Sequence, residues 1–215
     1  MATLFTDTLL REDQRGMLAE LEALALRLNR QLNLYSKEST QHFRERHLLH
    51  CLALASRPFP PGSDVVDWGT GGGMPGLPLA IAFPETTFHL VDSVGKKIRA
   101  VETMARRLEL PNVRTYHSRA EQWQGSASYS VSRATSPLAT LWAWHSRCFS
   151  PLDAPSDHWK PGLICLKGGD LTNELAELRD MHSGLRVENC PLLPLLGAPY
   201  FESKVIVTVH AESSS

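Results

Sequence analysis

The chain has 215 residues, 42% hydrophobic and 21% charged, proportions that fit one globular domain with a real core and room for a small appendage. A formal net charge of -1 argues against binding nucleic acid through an overall cationic excess, and Asp7 interrupts the start before any apolar run of the roughly 20 residues that a membrane span needs. A cytoplasmic protein that is not exported is therefore expected, with Cys51, Cys148, Cys165 and Cys190 as reduced core thiols, since they form no CxxC pair and sit among apolar neighbours.

From about Glu12 to Asn33 the apolar residues Met17, Leu18, Leu21, Leu24, Ala25 and Leu28 recur at helical spacing. After a break near Tyr35 and Ser36 a second helix is expected over Thr40 to Ala55, ended by RPFPPG. The pattern then changes. DVVDWG reads as a strand, 75–83 as a helix, TFHLVD as a strand, and 95–109 as a helix with Ile98, Val101, Met104, Ala105 and Leu108 on one side. NVRTYH and ASYSVSRA are strands, LATLWAWHSRCF a helix, GLICLKGG a strand and LTNELAELRDM a helix, before two β-rich runs around Leu185 to Leu193 and Phe201 to His210.

Alternating strands and helices predict an α/β fold, a doubly wound, mostly parallel sheet of about seven strands that binds ligands at the carboxyl ends of its strands. The domain reading is a helical extension over 1–56, the α/β domain over 57–211 and a disordered tail at 212–215. The charge is uneven. Lys96, Lys97, Arg99, Arg106, Arg107, Arg114 and Arg119 face only Glu102 and Glu109 in one stretch, whereas Asp170, Glu174, Glu177, Asp180 and Glu188 make a later one acidic. A basic face for RNA and a merely solvated helix face both fit that gradient.

The most informative segment is Asp67-Trp68-Gly69-Thr70-Gly71-Gly72-Gly73-Met74-Pro75-Gly76, which follows a strand and opens a helix. Glycines let a backbone turn with positive φ and approach a ligand closely, and Pro75 and Pro78 suit a helix's first turn. The next strand ends on Asp92, placed to accept from a ribose hydroxyl pair, so a nucleoside-containing ligand is expected. Gly71, Gly73 and Gly76 also satisfy GxGxxG, and Asp92 lies near the roughly 20-residue offset of NAD enzymes, which makes an NAD-dependent oxidoreductase the competing reading. Asp67 favours S-adenosylmethionine: its carboxylate would repel a pyrophosphate and attract an ammonium and a sulfonium. The DxGxGxG spacing, with a strand-ending acid after it, points the same way. On this reading Asp67, Gly69, Gly71, Gly73 and Asp92 form the cofactor site.

The acceptor leaves traces too. Ser132-Arg133-Ala134-Thr135-Ser136-Pro137 stands where enzymes acting on exocyclic amines carry Asn or Asp followed by Pro-Pro-aromatic, and Cys148 lies in an aromatic helix, not on the loop a carbon-5 nucleophile needs. A purine ring nitrogen such as guanine N7 has an in-plane lone pair and no proton to lose. Displacement on the methyl group then needs positioning and no catalytic dyad, a requirement that permits guanine without selecting it.

The segments LNLYS (32–36), ERHLLHCLAL (45–54), DWGTGGGMPGLPLA (67–80), LVDSVGKKIRAVE (90–102), LPNVRTYHSRAE (110–121), VSRAT (131–135) and LICLKGG (163–169) occur in an order that resembles the RsmG family, also called GidB. The resemblance runs from about Leu32 to Val209 and implies methylation of N7 of one guanine in 16S rRNA of the small ribosomal subunit. It further implies that Gly69 and Met74 line the cofactor, that Ala120 and Glu121 flank its adenine, and that Arg133 reaches the cofactor or the guanine as the catalytic candidate. Arg46, His47, Lys96, Arg119 and Lys167 match positions assigned to rRNA phosphates or the target base. Trp68, Met74 and the long 150–162 segment depart from the family pattern.

Several residues keep a structural alternative. His47 shares a helical face with Phe43 and Cys51, which suits a core-edge histidine, and Lys96 and Lys97 oppose the dipole of the helix they open, which suits either phosphate binding or solvation. Trp142 and Trp144 read as core, no histidine shows metal-ligand spacing, and a monomer suffices. A cofactor-binding assembly factor without catalysis is the remaining alternative class.

Overall fold

A computed structural model describes residues 9–212. Strands β1 (Asp64–Trp68), β2 (Thr87–Asp92), β3 (Val113–His117), β4 (Tyr129–Arg133), β5 (Gly162–Gly168), β6 (Leu185–Pro191) and β7 (Lys204–Ala211) form one sheet in the order β3-β2-β1-β4-β5-β7-β6. The pairs from β3 through to β5 are parallel, and β7 inserts antiparallel between β5 and β6. The doubly wound expectation holds.

Both faces of the central strands are covered: Val65 to Trp68 of β1 and Gly162 to Leu166 of β5 are all buried, as in a parallel sheet with helices on either side. Val65, Leu90, Val131 and Ile164 point to one core with α1 (Glu12–Leu32), α2 (Gly76–Ala82) and α3 (Gly95–Arg107). Val66, Val91, Leu163 and Cys165 point to the other, under α4 (Leu138–Cys148) and α5 (Thr172–Met181). The N-terminal helix belongs to the first core: Leu18, Leu21 and Leu24 are buried there, and the Gln14 amide donates to the Ile81 and Ala82 carbonyls at 2.8 and 3.1 Å. Asn33, left-handed at φ 50°, ends α1.

The expectations for 40–55 and for Cys190 change. The second helix is not one helix over Thr40–Ala55 but a short turn at Lys37–Thr40, a π-helical segment at Arg44–Leu49, one α-turn at His50–Leu52 and a 3₁₀ turn at Ala53–Ser56. Cys190 is exposed on the edge strand β6, unlike the three buried cysteines. The long 150–162 segment is fastened to the body, because buried Trp159 donates from Nε1 to Leu54 O at 2.8 Å and accepts at its carbonyl from Tyr129 Oη at 3.0 Å. Of the tail expected at 212–215, Glu212 donates its N–H to Gly184 O at 2.9 Å, and 213–215 lie outside the described residues. No helix among the described residues is long and apolar enough to cross a membrane.

Candidate functional site

The strand order reverses between β1 and β4, so their carboxyl ends flank the crevice where doubly wound sheets take ligands. The turn after β1 is built from beneath. Asp67 is fully buried, and its Oδ2 accepts from Thr70 Oγ1 at 2.6 Å and from Gly76 N at 2.9 Å. From above, Tyr35 Oη donates to Gly72 O at 2.6 Å, and a Cβ at Gly72 would overlap the Tyr35 ring. Gly69 and Gly71 have φ of 65° and 58°, backbone that glycine adopts freely.

Asp92, only 7% exposed, closes the loop against the next strand. Its Oδ2 accepts from Gly71 N at 2.9 Å and its Oδ1 from Val94 N at 2.8 Å. Each carboxylate oxygen retains a second lone pair for a ligand hydroxyl. Asp92 lines a cleft of about 400 Å³ with Gly69, Lys97, Arg119, Ala120, Glu121 and Trp144. The far wall is rigid: Trp144 Nε1 donates to Glu121 Oε1 at 3.0 Å, and Arg147 donates to the carbonyls of Ala120 and Glu121. A nucleoside fits this set of groups, with the Asp92 carboxylate for its hydroxyls, Glu121 and an indole beside the base and backbone at the turn.

Several sequence-derived site residues stand elsewhere. Asp67 and Met74 are buried under the loop and do not line this cleft. Burial raises the Asp67 carboxyl to about 7 against the lowering effect of Thr70 and Gly76, and its Oδ1 has no partner, so its charge is not presented to a ligand. Gly71 and Gly73 shape the turn without lining the cleft; a Cβ at Gly73 would overlap Leu77.

Arg133 turns away from the first cleft. Its NH1 donates to Arg46 O at 3.0 Å and its NH2 to His47 Nδ1 at 2.8 Å, tying the end of β4 to the π-helical segment. His47 is buried against the Tyr35 and Phe43 rings, each with its centroid 4.8 Å away. Burial, with Arg133 and Arg46 beside it, pushes its imidazole down to about 3. A neutral ring that accepts from Arg133 is not a phosphate contact; the core-edge alternative describes His47. Arg46 pairs with Glu38 at 2.9 Å and lies over the Tyr200 ring. Lys167 is largely enclosed, its Nζ donating to Ser136 O and Glu174 Oε2, both at 2.7 Å. Arg133, His47 and Lys167 line a second cleft of about 630 Å³, which shares Ala134 and Thr135 with the first. Ala134 holds φ 53°, a left-handed conformation that costs a non-glycine residue, at the join of the two clefts. Lys96 is exposed and lines neither.

Sequence reasoning missed four contributors. Tyr35 buttresses the glycine turn from 37 positions away. Trp144, read as core, lines the first cleft; its neighbour Trp142 is buried. Lys97, not Lys96, faces the cleft, its Nζ 3.9 Å from Asp92 Oδ2, and helical phase against Ile98 and Val101 could have separated the two. Glu174 anchors Lys167 and accepts from Leu138 N at 3.1 Å, at the start of α4. Among the described residues no group of His, Cys, Asp and Glu could hold a metal ion.

A dinucleotide-binding sheet continues 3-2-1-4-5-6 in parallel; here β7 runs antiparallel between β5 and β6. With a glycine turn under a strand-ending acid, this sheet defines the Rossmann-like methyltransferase class. Solved structures share it: the ribosomal protein L11 methylase of Lactobacillus delbrueckii subsp. bulgaricus at TM-score 0.59, with 10% identity over 78% of this chain and 79% of that one. A fibrillarin/Nop5p complex matches at TM-score 0.56, with 12% identity over 76% and 80%. The family GidB, rRNA small subunit methyltransferase G, matches residues 14–189. Ribosomal RNA small subunit methyltransferase G of Salinibacter ruber is 54% identical over 93% of this chain and 94% of its own length. That of Porphyromonas gingivalis is 38% identical over 92% and 87%. The chain belongs to the rRNA small subunit methyltransferase G family, and the oxidoreductase alternative falls.

Proposed function

We propose that the protein transfers the methyl group of S-adenosylmethionine to N7 of a guanine in 16S rRNA of the small ribosomal subunit, acting as a cytoplasmic monomer. The observation that carries this reading is the pair of clefts joined at Ala134 and Thr135: one suits a nucleoside cofactor, the other an acceptor base next to it. When bound, S-adenosylmethionine supplies an electrophilic methyl group. Guanine N7 has an in-plane lone pair and no proton, so accepting that group would require no general base from the chain.

The chain's residues then have positioning roles, which account for much of the rate in such a displacement. Asp92 accepts from the ribose hydroxyls, Ala120 and Glu121 flank the adenine, and Gly69 admits the cofactor backbone beside Thr135. Asp67, Gly71, Gly73 and Met74 act from below by holding the turn. Arg133 fixes the wall between the clefts. Arg119, Lys96, Lys97 and Arg46 supply cations for RNA phosphates, and Lys167 acts through Glu174. Purified protein, S-adenosylmethionine and small-subunit particles from cells lacking this enzyme test the reading: digestion and mass spectrometry should show 7-methylguanosine. Methylated RNA without that nucleoside would refute the target atom, and binding without methylation would leave the assembly-factor alternative.

A further inference from the structure

The second cleft contains a carboxylate that the positioning roles above do not fully use. We infer that Glu174 reads the target base as guanine by accepting from its N1–H and 2-amino group, an assignment that rests on the guanine reading of the preceding section.

Among the described residues Glu174 is the single carboxylate lining that cleft, beside the cations Arg133, Lys167 and Lys204. A pure counter-ion needs only the contacts it already makes, and both fall on one oxygen. Oε2 takes Lys167 Nζ at 2.7 Å and Leu138 N at 3.1 Å, while Oε1 accepts nothing among the described residues and the side chain stays 31% exposed. The carboxylate is thus fixed in direction and half free. His50 lines the same cleft at 5% exposure, and neither of its ring nitrogens makes a well-formed hydrogen bond although the Arg46 backbone lies beside the ring, a deficit that a polar occupant can relieve.

The geometry of a purine fits this arrangement. A base taken out of its stack, with N7 and O6 toward the shared Ala134–Thr135 turn, carries its N1–H and 2-amino edge away from that turn and farther into the cleft. The free oxygen, Oε1, has two lone pairs and can accept both adjacent donors of guanine. Adenine offers an acceptor at N1 and no 2-amino group, so it would meet Glu174 lone pair to lone pair. A site built to hydrogen-bond a donor rejects the analogue lacking it far more strongly than a shape-matched apolar pocket does.

The test compares particles reconstituted with rRNA carrying guanine, inosine or adenine at the position mapped by the methylation product, using the intact protein and E174Q. Inosine keeps N7, O6 and N1–H and lacks only the 2-amino group. Wild-type kcat/KM should fall on the order of tenfold with inosine, the equivalent of one lost hydrogen bond to a charged group, and much further with adenine. E174Q should lower the guanine rate and bring the guanine-to-inosine ratio toward one; E174D, which withdraws the carboxylate, should do the same if E174Q unfolds. Unaltered melting and S-adenosylmethionine affinity in either variant separate reading from folding, since structural damage lowers all three substrates alike. A guanine-to-inosine ratio unchanged in both variants, with wild type producing 7-methylguanosine, overturns this inference alone. No 7-methylguanosine from wild type overturns it together with the guanine reading.

Discussion

Arg133 NH2 donates to His47 Nδ1 at 2.8 Å, joining the end of β4 to the π-helical segment that precedes the sheet. The bond fixes the tautomer of His47, which must present a lone pair at Nδ1 and carry its proton at Nε2. It also sets Arg133 as the wall of the second cleft. Arg133→Ala leaves the buried Nδ1 lone pair of His47 without its donor and takes one donor from the Arg46 carbonyl, a loss worth about 1 to 3 kcal/mol for a buried group. Denaturant titration should record that destabilisation, and 7-methylguanosine formation should cease. Full stability in the variant would mean that the bond is dispensable; retained methylation would remove Arg133 from the site.

Asp92 carries two tasks that one substitution can separate. Its oxygens hold Gly71 N and Val94 N, and it faces the first cleft. Asp92→Asn keeps the shape and one acceptor but loses the charge, so cofactor affinity measured by calorimetry should drop by about 1 to 3 kcal/mol, with Asp92→Ala at the upper end and also less stable. Unchanged affinity in both variants would end the ribose assignment.

The strands and the helices between them were legible because each follows one period and each glycine or proline break has a local cause. The rest depended on contacts distant in sequence. Nothing near Gly72 announces that Tyr35 covers it. Asp67 looks like a ligand residue in the string DWGTGGG, yet its side chain turns under the loop to Thr70 and Gly76, a direction that spacing does not encode. The 40–55 stretch has helical composition, but its turns widen where the Arg46 carbonyl and His47 meet Arg133, so a long-range contact overrides a local propensity. Lys167 reads as a free cation because its partner Glu174 lies in a separate helix.

Stability should rise with pH across the mildly acidic range. Burial holds the imidazoles of His47 and His50 at about 3 and that of His145 at about 4, against an ordinary 6.5. Below 6.5 the unfolded chain takes up protons that the folded one refuses, so the stability these histidines give is fully present above 6.5 and is lost as pH falls toward about 3. Asp67 opposes them: with its carboxyl raised from 3.8 to about 7, its contribution is present below 3.8 and is lost as pH rises through about 7. Near about pH 5 three histidines act against one carboxyl, and the histidines prevail. Denaturant midpoints measured through this range should climb, and His50→Gln should make the climb shallower. An identical slope in the variant would show that His50 is not the buried neutral group described here.

Arg119 is the cation whose role in RNA binding can be isolated most cleanly. It is exposed at the rim of the first cleft, and its guanidinium has no protein partner among the described residues, whereas Arg46 is paired with Glu38 and Lys167 with Glu174. A free cation that meets a phosphate releases a counterion from the RNA, and the logarithm of affinity then falls with the logarithm of salt by about 0.7 to 0.9 per contact. Arg119→Ala should therefore weaken binding to small-subunit particles at low salt and reduce the salt slope by about 1. Cofactor affinity should change little, because Asp92 and Glu121 remain. Arg46→Ala should alter the slope less, since Glu38 already neutralises part of that charge. If Arg119→Ala weakened binding equally at every salt concentration, the arginine would be acting through the shape of the cleft, and the phosphate contact would have to be sought among Lys96 and Lys97.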